Sequence, residues 1–89
     1  MTDLLTAARA EALFTSDLVT GSEPTRAELA TAIRRAIRSN GGSRGCAGTL
    51  ACAYGDRPET AVPRMRWALR QVLAAYPRTV PYRMRTPRT

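Results

Sequence analysis

Between Ala47 and Tyr76 apolar residues fall at helical intervals on both sides of a glycine, and this arrangement restricts the chain to a helical domain more firmly than any other feature. Ala47, Leu50, Ala51 and Tyr54 stand three and four apart and share one helical face. Gly55 follows, a residue able to take the left-handed conformation that stops a helix. Beyond it Val62, Met65, Leu69, Val72 and Tyr76 recur at steps of three and four, drawing one stripe along several turns. The small Ala51 would let a second helix cross closely. Two helices about a tight turn make a helix-turn-helix candidate over about residues 44–76.

The start of the second of these helices admits two readings. With Asp56 as N-cap and Glu59 as its capping-box partner, Pro63 lies in the helix interior and removes a hydrogen bond to the Glu59 carbonyl, at roughly 3 kcal/mol. With Thr60 as N-cap, Pro63 falls in the first turn, where its missing N–H is harmless. The sequence favours a short turn or kink around residues 58–62, followed by a regular helix.

Thr49-Leu50-Ala51, Tyr54-Gly55, Thr60-Ala61, Arg64-Met65 and Ala68 resemble the DNA-binding half of sigma factor region 4 and the related LuxR-type regulators. That family's pattern runs leucine or isoleucine, alanine, two variable residues, leucine, glycine, then threonine-valine, arginine-leucine and alanine. The resemblance covers about a quarter of the chain. Ala61 stands where the pattern has valine or isoleucine, and Pro63 where the family keeps its second helix regular. The whole chain also resembles small proteins of high-GC actinobacteria, a similarity that supplies no function.

Eighty-nine residues suit one small domain, which buries only about two-thirds of its unfolded surface and leaves little room for a large catalytic cleft. All fourteen basic side chains are arginine, against seven acids, for a net charge of +7. That excess favours a polyanionic partner such as nucleic acid, or an acidic protein face. With no histidine, and only Cys46 and Cys52 as thiols, a structural zinc site and histidine-based catalysis are not expected. Neither an enzyme nor a cofactor is predicted. The two cysteines lie about 9 Å apart along a helix and on different sides, too far for a disulfide. Both are expected as reduced intracellular thiols, Cys46 near the core and Cys52 more peripheral, with redox sensing as the alternative. An N-terminus acidic at Asp3 lacks the basic region of a signal peptide, and no apolar run reaches membrane-span length. A cytoplasmic, nucleoid location is the expectation.

Taken in order, residues 2–18 read as a first helix capped by Thr2 or Asp3, with a mixed face of Leu4, Ala7, Ala8, Phe14 and Leu18 that covers the core of the remaining bundle. A loop follows, and Thr25 with Glu28 forms a capping box for a second helix running to about Ser39. Leu29, Ile33, Ala36 and Ile37 are its expected buried face. Arg34, Arg35 and Arg38 lie outside, complementing the helix dipole or meeting phosphates. Asn40-Gly41-Gly42 ends that helix and Ser43 is expected to cap the third. Residues 77–89 change to proline, threonine and arginine without acids, the composition of a flexible basic tail. The predicted architecture is therefore an all-α, four-helix domain over residues 1–76, containing the helix-turn-helix and followed by that tail.

Function follows from these placements. The leading expectation is a small DNA-binding protein, a transcriptional regulator or nucleoid-associated factor, whose last helix enters the major groove of double-stranded DNA. Thr60 and Arg64 would approach base edges with Arg57 and Arg66 beside them, while Arg44, Arg70 and tail residues Arg78, Arg83 and Arg85 would hold phosphates. Useful specificity would require a homodimer or a protein partner. Trp67 projects away from the Val62-to-Tyr76 stripe, so it is either covered by another segment or exposed with Gln71 to a partner. The second reading is accordingly a protein-interaction module that docks on the transcription machinery or an acidic regulatory protein through Trp67 and the arginine face.

Overall fold

Asp3 opens the first helix by accepting the Thr6 backbone N–H at 2.7 Å, and the computed structural model describes the chain from that residue through Pro77, residues 3–77. Four helices follow in order: α1 Leu4–Phe14, α2 Arg26–Ser39, α3 Ser43–Asp56 and α4 Pro58–Ala75. No strand occurs among the described residues, so the protein is an all-α small domain.

Helix α1 stops four residues short of the expected end. Thr15 Oγ1 turns back to donate to the Ala12 carbonyl and Ser16 Oγ donates to that of Leu13, at 2.8 and 2.6 Å. Such local bonds offer the backbone an alternative to another helical turn. Its role also differs from that of a cover. Helix α1 packs against all three other helices, most extensively α4, and buries Thr6, Ala10, Ala12, Leu13 and Phe14. Of the face expected from Leu4, Ala7, Ala8, Phe14 and Leu18, Leu4 points outward at 90% exposure, Ala7, Ala8 and Leu18 are half-buried, and Phe14 is buried.

Helix α2 matches its local signals. Thr25 Oγ1 accepts from Glu28 N at 3.1 Å and the Glu28 carboxylate accepts from Thr25 N at 2.8 Å, the reciprocal capping box. Leu29, Ala32, Ile33 and Ala36 are buried, Ile37 is half-buried, and Arg34, Arg35 and Arg38 are exposed. At its end Gly42 N–H reaches the Ile37 carbonyl at 2.8 Å and Gly41 N–H that of Arg38 at 3.3 Å. With Gly41 at φ +75°, this is a Schellman closure that a side chain at Gly41 would strain.

Gly42, not Ser43, is the N-cap of α3, and no side chain caps that end. Asn40 links the surrounding ends: its Nδ2 donates to the Ala36 carbonyl at 2.8 Å and to Thr15 Oγ1 at 3.3 Å, while its Oδ1 accepts from Thr49 Oγ1 at 2.8 Å. The buried face of α3 is rotated from the expected one. Cys46 is its buried residue, whereas Ala47, Ala51 and Tyr54 are exposed and Leu50 half-buried. Both cysteines are free, Cys46 buried and Cys52 exposed.

The expected turn at Gly55 is not formed. Helix α3 continues through Gly55 to Asp56, and the break falls at Arg57 alone, at φ −143° and ψ 67°. Pro58 is the cause: its ring pushes the preceding residue out of the α region, while its own fixed φ and missing N–H suit the first helical position. Neither Asp56 nor Thr60 caps α4, and Pro63 lies in the helix interior. It and Glu59 are both exposed, so water can reach the carbonyl that Pro63 leaves without a donor.

The phase of α4 is the largest departure from the sequence reading. Ala61, Trp67, Ala68 and Val72 are buried, whereas Val62, Met65 and Leu69 are only half-buried and Leu73 is exposed. Trp67, on the side expected to face outward, is the largest fully buried side chain. It joins Leu13, Leu29, Ile33, Ala68 and Val72 in one core.

Candidate nucleic-acid interface

Three of the four residues expected to approach base edges meet at the α3–α4 joint. A cavity of ≈ 330 Å³ opens there, between Phe14 and Thr20 on one side and Asp56, Arg57, Thr60 and Arg64 on the other. Arg57 and Thr60 are exposed, and Thr60 Oγ1 donates to the Arg57 carbonyl at 3.2 Å, fixing the first turn of α4.

Arg64 has a different job from the one its position in the motif implied. Its Nε donates to the Phe14 carbonyl at 2.7 Å, one terminal nitrogen to the Ser16 carbonyl at 2.9 Å, and the other to Thr20 Oγ1 at 2.8 Å. The guanidinium also lies 5.0 Å from the Trp67 ring centroid and 5.7 Å from that of Phe14. Burial pushes its pKa below the ordinary guanidinium value. Arg64 thus caps the open C-terminal end of α1, where carbonyls without helical partners and the negative end of the dipole favour a cation. It is half-buried and held inside the fold, so the expectation of a free base-reading arginine is corrected here.

Trp67 takes the covered alternative of the two that its position offered. At 1% exposure it offers no surface to a partner, and its Nε1–H donates to the Ser22 carbonyl at 2.8 Å. Together the two side chains pin the loop of residues 15–25 onto α4. Gln71, expected beside Trp67 in a contact patch, is half-buried.

The remaining predicted residues stay on the surface. Arg66 and Arg70 are exposed on α4, and Arg44 is exposed in the first turn of α3. Arg78, Arg83 and Arg85 lie outside the described residues. The arginines assigned mainly to the dipole of α2, Arg34, Arg35 and Arg38, belong to the same exposed set, as does Arg26. Among the described residues no arginine forms an ion pair with a carboxylate. The exterior of the described residues therefore carries eight exposed guanidiniums, none of them in an ion pair with a carboxylate. The signal for the α2 arginines was present in the sequence, as three basic residues off the apolar face.

No group of three or more Cys, Asp or Glu residues converges among the described residues. No helix among them is long and apolar enough to cross a membrane.

Fold and surface define the class: a small all-α domain whose exterior is rich in unpaired arginine. No protein-family model matches the chain, and neither a curated protein nor a solved structure shows a significant match to it.

Proposed function

We propose that this protein binds double-stranded DNA, chiefly through its phosphate backbone, as a transcriptional regulator or nucleoid-associated factor. The observation that carries this reading is the set of exposed, unpaired guanidiniums on α2, α3 and α4. A guanidinium without a carboxylate neighbour is free to release a counterion from a phosphate, the main driving term of binding to duplex DNA. With Arg64 engaged inside, base contacts from a helix-turn-helix-like α3–α4 pair would fall to Arg57, Thr60 and Arg66, while Arg44, Arg70 and the arginines at 78, 83 and 85 would hold phosphates. So few base-reading groups suit weak sequence preference, which a homodimer would raise.

The experiment is binding to random-sequence duplex DNA and to an enriched pool across a salt series. The expected result is a steep decline of log K with log salt, flattened by about one unit for each phosphate-contacting arginine removed, Arg70→Ala among them. Absence of binding at low salt would reject the proposal. Docking on an acidic protein is the weaker reading, because burial of Trp67 removes the residue on which it mainly rested.

A further inference from the structure

Arg64 uses three of its five N–H groups on the Phe14 and Ser16 carbonyls and Thr20 Oγ1, and none of these partners is an anion. The two N–H groups that remain belong to a half-buried cation lining the ≈ 330 Å³ cavity at the α3–α4 joint. Thr20 Oγ1 accepts from Arg64 and keeps its own O–H to donate. Arg57 also lines the cavity, and its guanidinium makes no hydrogen bond or ion pair among the described residues. Phe14, Ala53 and Ala61 supply the apolar part of the lining. Apolar side chains thus stand together with several unused donors, in a volume within the range of small-molecule sites, about 300–1,000 Å³.

We propose that this cavity binds a small monoanionic ligand, an aromatic carboxylate. The charge of the lining selects the class. Arg57 and Arg64 contribute two positive charges and Asp56 one negative, which leaves one positive charge, and Asp56 forms an ion pair with neither arginine. One carboxylate balances that charge, whereas a phosphate dianion exceeds it and is repelled by Asp56. The ligand's carboxylate takes the remaining N–H groups of Arg64 and those of Arg57, bonds stronger than neutral ones because both partners are charged. Its ring lies against Phe14 and the two alanines, and Asp56 accepts from a ring hydroxyl. Desolvation lowers the Arg64 pKa, and an anion seated beside the guanidinium offsets that cost. Such a site stands whether or not α3 and α4 also bind DNA.

The test uses the full chain without DNA, titrated with para-hydroxybenzoate, with para-hydroxybenzamide as the neutral match and phenyl phosphate as the dianion. Para-hydroxybenzoate should saturate with a Kd on the order of 1 mM and show nuclear Overhauser contacts to the Ala53 and Ala61 methyls. The amide and the phosphate should each bind about tenfold more weakly. Ala53→Leu, which fills the cavity from a half-buried position, should abolish binding, and Arg57→Gln, an exposed side chain without a partner, should weaken it about tenfold. The methyl contacts in the parent protein decide the matter if a variant unfolds. Absence of saturation or of those contacts overturns the proposal. So does equal binding of the amide, full binding by a folded Ala53→Leu variant, or tighter binding of phenyl phosphate, because the cavity would then be reading a phosphate.

Discussion

The Nε of Arg64 donates to the carbonyl of Phe14 at 2.7 Å, joining the first turns of the last helix to the last residue of the first, fifty positions earlier. One side chain thereby closes the end of the central helix and secures the loop that leaves it. Arg64→Met removes three hydrogen bonds, two of them to α1-end carbonyls that are only partly open to solvent. It should cost about 2–4 kcal/mol of unfolding free energy by urea denaturation. Arg64→Lys should recover only part of this, since an ammonium cannot span the same three acceptors.

The pH dependence follows from the same residue. Burial lowers the Arg64 pKa in the folded state, so the folded protein releases that proton before the unfolded chain does, and stability rises with pH only between the two values. Both lie far above neutral. From about pH 5 to pH 9 the guanidinium is charged in both states and adds no slope, so unfolding curves for the parent and Arg64→Met should stay a constant distance apart. A gap that changes across that range would show that another titrating group is coupled to the clamp.

Trp67 should report a buried indole. Its emission is expected to be blue-shifted, poorly quenched by acrylamide, and unchanged by duplex DNA at any salt. Trp67→Ala should destabilise by about 3–5 kcal/mol through the cavity it leaves. Trp67→Phe should cost about 1–2 kcal/mol, mainly for the lost bond to the Ser22 carbonyl.

Two helical glycines in α3 should respond oppositely to alanine. A Cβ at Gly45 would overlap the Asn40 carbonyl oxygen, a backbone atom that cannot swing away, so Gly45→Ala should cost more than 2 kcal/mol. A Cβ at Gly48 meets nothing within 4 Å. There alanine only lowers the backbone entropy of the unfolded chain, and Gly48→Ala should stabilise by about 0.5–1 kcal/mol. Thermal melts of the two variants check both signs.

Cys52 should react with a thiol reagent at the rate of an exposed cysteine, while Cys46 waits for unfolding. Cys46 is enclosed near the Ala36 carbonyl and the Thr15 hydroxyl, at 3.8 and 3.7 Å. Equal reactivity in the native protein would place Cys46 nearer the surface than the fold does.

The sequence by itself determined what depends on neighbours within a turn or two. The Thr25–Glu28 capping box, the glycine closure after α2 and the four-helix order all follow from local backbone chemistry. The α3–α4 joint was legible too, but at Pro58 and not at Gly55, because proline restricts the residue before it whereas glycine only permits a stop. Tertiary structure decided which face each helix buries. Alternating apolar spacing in α4 fits two phases, and the one adopted is fixed by groups that no local pattern displays: carbonyls of Phe14, Ser16 and Ser22 waiting for donors at the end of α1 and in its loop. Arg64 looks like a contact residue in sequence, and Trp67 fits a covered or a contact role equally by pattern, because an arginine and an indole N–H need polar partners that no local pattern displays. Folding supplied those partners from main-chain atoms some fifty residues away.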